Sequence, residues 1–307
     1  MSGFPDSINW ENWGSLMTDT ALFEPLVRKA LTRAGLAGAD IRAGYPGTNA
    51  VFTVDDAYVV KLYAPLSGLC DAQSERACCR LMRAERFPHV PALYGEGTVD
   101  GWEYIVTEYV PGDAARDVWA NLSPSRRRAA GRFVGQWAKA YHALPDPFPS
   151  DSPLSAARCE ENLPARIEKN TARLLGEGCD PAFVSGLSRA AREALNTHRA
   201  IVLTHSDLTE DHLLIAGEQM RVIDFADSRM AESCMEWPPL WFGMFRRDEG
   251  AFSEYLRAAG DEYRPDRMLF SLMLHAYGAP ILLSSVPGLR NMTDASQLCP
   301  YLPRRGR

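Results

Sequence analysis

Two short segments past the middle of the chain hold the residue types best suited to chemistry. In Leu203-Thr204-His205-Ser206-Asp207-Leu208-Thr209-Glu210-Asp211-His212-Leu213-Leu214-Ile215, a polar loop lies between two apolar runs. The turn Ala216-Gly217-Glu218-Gln219 then leads into Met220-Arg221-Val222-Ile223-Asp224-Phe225. Consecutive strands joined by a tight turn lie side by side. Asp207 and His212 ahead of the first strand, and Asp224 after the second, are therefore expected to converge at one end of a hairpin. Two carboxylates and an imidazole so placed suit phosphoryl transfer. One carboxylate accepts or orients a hydroxyl proton, and the other, with a neutral donor atom, holds Mg²⁺ against nucleotide phosphates. Taken singly each residue has an ordinary reading, since Asp is a common turn former and His205 fits a core. The conjunction with three further elements carries the argument.

The first of these is Lys61, in the middle of the β-rich run Tyr58–Tyr63. Alternation puts Val59, Lys61 and Tyr63 on one face, and a buried ammonium there must be paired. On the helix that follows, Glu75 shares a stripe with Cys78, Cys79 and Met82, so Lys61–Glu75 is the natural pair, with the ammonium aimed at phosphates. The second is the loop Gly44-Tyr45-Pro46-Gly47-Thr48-Asn49, whose Gly44 and Gly47 let backbone N–H groups approach phosphate oxygens, with Thr48 and Asn49 beside them. It has neither the Walker lysine nor a strict G-x-G-x-x-G. The third is Val106–Gly112, where Glu108 and Val110, two residues apart, offer backbone groups to a purine.

The elements that must position these residues follow from patterning. A helix is predicted over 20–34 with Thr20 as cap, then strands at 50–54 and 58–63, a helix over 71–85, and strands near 92–98 and 102–109. Beyond Val110-Pro111-Gly112 helices dominate, at 123–144, 165–175 and 181–199, and again to about 283, interrupted by one hairpin near 203–224. The fold class is α+β. A boundary near residue 110 separates a β-rich lobe (1–110) from an α-rich lobe (111–307).

Composition narrows the partners. The 307 residues carry a net charge of −6 and no long basic run before the tail Arg304-Arg305-Gly306-Arg307, which argues against nucleic acid and would suit a cationic substrate. Seven cysteines without a C-x-x-C pair favour neither zinc nor a disulfide framework. The N-terminus lacks the charged-then-apolar pattern of a secretory signal, and Leu269–Leu283 is too interrupted to cross a bilayer. A cytoplasmic enzyme without a membrane partner, a monomer or weak dimer, is expected.

Glycine loop, strand lysine, helix glutamate, hinge, His-x-Asp-x-x-x-x-His and Ile-Asp-Phe occur here in the order of the aminoglycoside phosphotransferase family, relatives of the protein kinases, which the chain resembles over about residues 40–260. Thr204–His212 with Val222–Asp227 look most like the branch of hygromycin B phosphotransferases. Tyr141-His142-Ala143-Leu144 before a proline loop, Phe245–Asp248 and Phe252–Gly260 are similar as well. The resemblance implies a two-lobed protein-kinase-like fold, with a small antiparallel-sheet N-lobe and a mainly helical C-lobe. It implies ATP (or GTP) and Mg²⁺ as cofactors, and Asp207 as catalytic carboxylate. His212 stands in the place usually held by a metal-binding Asn, and Asp224 chelates Mg²⁺. Lys61, held by Glu75, meets the α- and β-phosphates, Gly44–Asn49 covers them, and Glu108 and Val110 bind adenine. The Gly-Asp-Pro-x-x-Asp segment common after the Ile-Asp motif is replaced by Met230–Trp237, with Glu236 available for its structural Asp.

The expected reaction moves the γ-phosphoryl group to a hydroxyl of a small molecule, first an aminoglycoside such as hygromycin B. Kinases of choline, homoserine or sugars are alternatives, as is a nucleotide-binding protein without turnover. Glu232 and Glu236 are candidate carboxylates for a polyamine, and Trp237 and Trp241 candidate pocket walls, although aromatics at this spacing are more often core.

Overall fold

The computed structural model describes residues 8–45, 47–66, 68–195 and 200–304. Pro46 of the glycine loop, the extreme N-terminus, residues 196–199 and the last three residues of the basic tail lie outside the described residues. Contacts divide the chain into two units. The first holds the described residues up to Gly112 together with Arg221–Asp227, and the second holds the remainder. The boundary expected from sequence assigns 221–227 to the second lobe. Their backbone instead bonds within the first unit, where Val222 N–H donates to His89 O at 3.0 Å and Ser74 Oγ donates to Phe225 O at 3.0 Å.

The first unit opens with α1 (Trp10–Leu16), which sequence patterning did not predict, and α2 (Thr20–Arg33). The cap of α2 is Asp19 rather than Thr20, because the Asp19 carboxylate accepts the Leu22 N–H at 3.0 Å. The strands are β1 (Ile41–Ala43), β2 (Ala50–Val54), β3 (Tyr58–Leu62), β4 (Leu93–Val99) and β5 (Trp102–Glu108), with α3 (Asp71–Ala84) between β3 and β4. They form one antiparallel sheet in the order β1-β2-β3-β5-β4. One face packs on α2, where Phe23, Val27 and Leu31 meet Phe52, Val60, Leu62 and Val106. Fully burying each such side chain contributes roughly 1.5–3 kcal/mol. Trp13 of α1 stacks on Trp102 at 5.9 Å and meets Phe23 edge-on, which ties the N-terminal helix to the same core. Lys61 lies on the opposite side of β3 from Val60 and Leu62, as alternation requires.

The second unit carries β6 (Asp113–Ala114), α4 (Ala115–Val118), α5 (Pro124–His142), α6 (Leu163–Gly176), α7 (Pro181–Ala194), β7 (Ile201–Thr204) and β8 (Leu213–Ala216). β9 (Gln219–Val222) starts in this unit, and β10 (Arg229–Glu232), α8 (Glu249–Ala259), α9 (Pro265–Leu274) and α10 (Gly278–Ser285) complete it. β8 and β9 are the predicted hairpin, turning at Gly217 with φ +60°. The apolar run before the loop behaves otherwise, because β7 pairs antiparallel with β10, Thr204 opposite Arg229 and Ile201 opposite Glu232. α5 packs against α8 so closely that a Cβ on Gly131 or Gly135 would overlap the carbonyl oxygens of Ala251 and Tyr255. No single described helix is long and apolar enough to cross a membrane.

Candidate active site

In the first unit the lysine of β3 sits between two carboxylates. Lys61 Nζ lies 2.8 Å from Glu75 Oε2 and 2.8 Å from Asp224 Oδ1, with Lys61 and Glu75 both buried. The apolar stripe of α3 explains the burial of Glu75, since Cys78, Cys79 and Met82 share its face and are buried too. Tyr63, just past the end of β3 and two residues beyond Lys61, donates its hydroxyl to Glu75 Oε2 at 2.9 Å. Burial by itself lowers the pKa of Lys61. The charges of Asp224 and Glu75 outweigh it and hold the ammonium well above its usual range. Burial pushes Glu75 upward, with Lys61 opposing and Asp224 adding to the rise. Asp224 is the more accessible carboxylate, about a third exposed, and its backbone is left-handed at φ +64°. A non-glycine residue held there carries local strain of about 1–2 kcal/mol. Phe225, fully buried, anchors the segment with its N–H directed to Glu75 Oε1.

The glycine loop is tied from behind. Gly44 N–H donates to Val51 O at 2.7 Å, and a Cβ at Gly44 would press on the Val51 side chain and carbonyl. Thr48 O accepts the Trp13 indole N–H at 2.7 Å. Asn49, expected to face phosphates, is buried and engaged elsewhere, accepting Ala64 N–H and donating to Asp71 at 2.8 Å. Its side chain braces the loop. Gly47 has open space where a Cβ would stand. Glu108 differs from expectation as well. Its N–H donates to Ala92 O at 2.8 Å and its carboxylate holds Arg221 at 2.7 Å, so that N–H does not serve a purine. Val110 is buried, and its N–H and C=O make no hydrogen bond with the described residues.

In the second unit the loop between β7 and β8 is fixed from below. Ser206 adopts φ +64°, a left-handed turn that sets the direction of Asp207. Glu236, fully buried, accepts His205 N–H at 2.6 Å and Ser206 N–H at 3.1 Å. His275 lies 2.7 Å from Ser206 O through Nε2, and Tyr277 N–H donates to its Nδ1 at 3.1 Å. These partners require the neutral ring with its proton on Nε2. His212 Nδ1 lies 2.6 Å from Asp207 O, which places a proton on Nδ1. Its Nδ1 is also 3.4 Å from Asp207 Oδ2.

Two readings of these residues need correction. Glu236, considered for substrate, has one oxygen on each of two backbone N–H groups, so it is a brace for the Asp207 loop. Glu232 pairs with buried Arg267, which also donates to Ala194 O at 2.9 Å and lies over the Phe270 ring. Trp237 and Trp241 are buried, their indole N–H groups given to Asp261 and Tyr301 O, so they are core side chains rather than pocket walls. Sequence reasoning missed His275 and Trp13 as supports. Tyr63 had a signal, the i+2 alternation from Lys61, whereas a lone histidine at the end of a helix carries none.

The donor set bears on Mg²⁺. Among the described residues no group of three His, Cys, Asp or Glu side chains forms a ready-made metal cage. A Mg²⁺ ion bound through one or two carboxylates plus substrate phosphates needs none, and the accessible Asp224 carboxylate fits that mode.

His275 gives a prediction. Burial first, then the charges of Arg229 and Arg166, push its pKa down to about 4, against the pull of the Ser206 carbonyl. The unfolded ring takes up a proton near its ordinary value of 6.5 while the folded ring resists, so stability falls as pH drops from 6.5 to about 4. The loss from this group is about 3 kcal/mol. Urea midpoints followed across that range should decline less steeply in His275→Gln than in the parent.

The residues of both units match the family model described as the phosphotransferase enzyme family, over residues 40–269. The chain belongs to this family, and is thereby an ATP-dependent phosphotransferase with a hydroxyl acceptor. Among solved structures it is similar to the streptomycin–ATP ternary complex of APH(2'')-IIa, at 14% identity and TM-score 0.62, over 91% of this chain and 97% of that one. It is similar to a choline/ethanolamine kinase family protein from Mesorhizobium loti, at 19% identity and TM-score 0.59, over 91% and 94% of the two chains. A third is APH(3'')-Id from Streptomyces rimosus, at 19% identity and TM-score 0.56, over 82% and 97%. No curated protein matches the chain. At such identities the structural likeness establishes the fold, which is the α+β, two-lobed, kinase-like one.

Proposed function

We propose that this phosphotransferase uses Mg²⁺ with ATP, or GTP in its place, and that Asp207 orients a hydroxyl of a small-molecule acceptor for attack on the γ-phosphoryl group. The first unit, expected over 1–110 and joined by Arg221–Asp227, is the nucleotide-binding lobe, and the rest of 111–307 is the catalytic and substrate-binding lobe in this reading. The observation that supports it most is the buried Lys61 ammonium between Glu75 and Asp224, 2.8 Å from each. A cation kept charged in the protein interior and beside an accessible carboxylate suits the binding of phosphate oxygens. Mg²⁺ supplies charge neutralisation at the phosphates when bound, held by Asp224 with His212 as the second candidate ligand. Asp207 accepts the hydroxyl proton, and Gly47 and Thr48 offer backbone N–H groups to the phosphates, the Gly44 N–H being given to Val51 O, while Val110 offers its own to adenine. The proposed setting is the cytoplasm, as a monomer or weak dimer with no membrane or nucleic-acid partner.

For the acceptor, the motif resemblance favours an aminoglycoside such as hygromycin B, with resistance to it as the consequence. A specific observation favours a second reading, a kinase of choline, homoserine or a sugar. Two carboxylates a polyamine would meet, Glu232 and Glu236, are already engaged by Arg267 and by backbone N–H groups. Mass spectrometry of ATP–Mg²⁺ reactions with a mixed aminoglycoside, amino-alcohol and hydroxy-acid panel tests the function. A phosphorylated product supports it, and ATP binding without product across the panel sinks it.

The glycine loop gives a further expectation. Trp13→Phe keeps the ring stack on Trp102 and removes the N–H that holds Thr48 O. One lost hydrogen bond of about 1 kcal/mol should raise KM for ATP roughly fivefold, with kcat unchanged. Steady-state kinetics at saturating acceptor measures both.

A further inference from the structure

Arg166 is a half-buried cation that no side chain or backbone acceptor among the described residues engages. It stands in the first turn of α6 and lines a narrow cavity of about 30 Å³ whose other walls include Leu163, Met235 and Phe270. The charged side chain that acts on it most strongly is Arg229, of the same sign, and burial first, then Arg229, pulls its pKa down to about 10. Glu232 lines the same cavity but is paired with Arg267, and Glu160 at the rim is exposed. A half-buried guanidinium beside a second cation has lost part of its hydration without gaining a charge partner, a loss that a bound anion would offset.

The position of this cation is what gives it meaning. One turn further along α6, Asn170 donates to the carbonyl oxygens of Met273 and His275 and accepts Ala279 N–H. His275 in turn holds Ser206 O, the residue before Asp207. Arg229 begins β10 opposite Thr204, at the Asp207 end of β7. Both arginines act electrostatically on His275. Arg166 and Arg229 therefore flank the support of the Asp207 loop, within one unit of the protein.

We propose that Arg166 and the cavity it lines form an oxyanion subsite, and that the acceptor carries a carboxylate or phosphate group in addition to the hydroxyl that is phosphorylated. A guanidinium offers paired N–H donors to either group, and bidentate pairing is the strong form of such recognition. The absence of a protein carboxylate on Arg166 leaves that pairing to the ligand. Arg229 adds charge of the same sign, while neutral His275 adds none. This inference rests on the reading of Asp207 as the residue that orients the acceptor hydroxyl, and it favours a hydroxylated acid over a polycationic aminoglycoside.

The test uses the full chain and Arg166→Met, with Arg166→Lys as the conservative variant. Acceptors are compared in matched pairs, glyceric acid against glycerol, homoserine against its amino alcohol, and a sugar phosphate against the sugar, beside an aminoglycoside. In the parent the charged member of a pair should have the higher kcat/KM. Arg166→Met should raise KM for that member about 10- to 100-fold without altering KM for ATP, and Arg166→Lys should recover part of the loss. The carboxylate and phosphate pairs distinguish the two sources of the anion.

Thermal unfolding decides the matter even if no acceptor is turned over. Glycerate or inorganic phosphate should raise the melting temperature of the parent and not of Arg166→Met. Without ligand, Arg166→Met should be at least as stable as the parent, because it removes an unpaired charge. Loss of stability in Arg166→Met, or equal response to the anions in both proteins, overturns the subsite. Absence of any phosphorylated product, with the anion response intact, overturns the kinase reading instead.

Discussion

Asp207→Asn is expected to lower kcat about a thousandfold, within the range that removal of a positioned proton acceptor produces. KM for ATP should stay near the parent value, because no nucleotide contact is assigned to Asp207. The substitution keeps side-chain shape and removes only charge and basicity. The loop should stay in place, since three of its supports run through atoms other than the Asp207 carboxylate. His212 Nδ1 lies 2.6 Å from the Asp207 backbone carbonyl, Glu236 holds the N–H groups of His205 and Ser206, and His275 holds Ser206 O. Melting should therefore move by no more than the equivalent of about 0.5 kcal/mol, as for a substitution that breaks no core contact. Single-turnover phosphoryl transfer and thermal unfolding on the same preparations give the two readings. Unchanged turnover would remove Asp207 from the chemistry, while joint loss of turnover and stability would make it a structural residue.

The contrast between Asp207 and Glu236 shows what sequence could and could not disclose. His-x-Asp and Ile-Asp-Phe are local patterns whose residue types are rare in such order, so the loop and strand that carry them are legible. The alternation of β3 and the stripe of α3 likewise make Lys61, Glu75 and Tyr63 neighbours before any coordinates are known. Glu236 looked like a surface carboxylate as readily as a brace, because the two donors it serves are backbone N–H groups thirty and thirty-one positions away, which no periodicity reports. The pairing of β7 with β10 was invisible for the same reason, since the run Arg229–Glu232 has no β-rich composition and is set by its partner strand. Asn49 and Glu108 mark a subtler limit. Both sit where the motif predicts, yet the side chain of one and the N–H of the other are committed to neighbouring backbone and side chains. Sequence places a residue, and tertiary contacts decide which of its atoms remain for a ligand.

The second large effect concerns the Lys61 pair. Lys61→Met should cost about 3–5 kcal/mol of folding free energy, the penalty for stripping the partner from a buried carboxylate. It should also abolish measurable nucleotide binding. In the parent, the lysine's folded pKa lies above its ordinary 10.5, so the stability it contributes is fully present below that value and is lost only as pH rises through the folded value. Near neutrality the parent is thus insensitive to pH on this account. The variant is not. Burial and the Asp224 charge hold Glu75 above its ordinary 4.5, and without the ammonium it rises further. The penalty in Lys61→Met is then greatest when Glu75 is ionised and shrinks as pH falls toward 4.5, where the carboxyl takes up a proton in both states. Urea unfolding of parent and variant should accordingly converge in acid. Adding Glu75→Gln to Lys61→Met should recover most of the stability at neutral pH while leaving ATP unbound, because the amide removes the stranded charge but supplies no cation for phosphate. If the double variant binds ATP as the parent does, the ammonium serves only the fold.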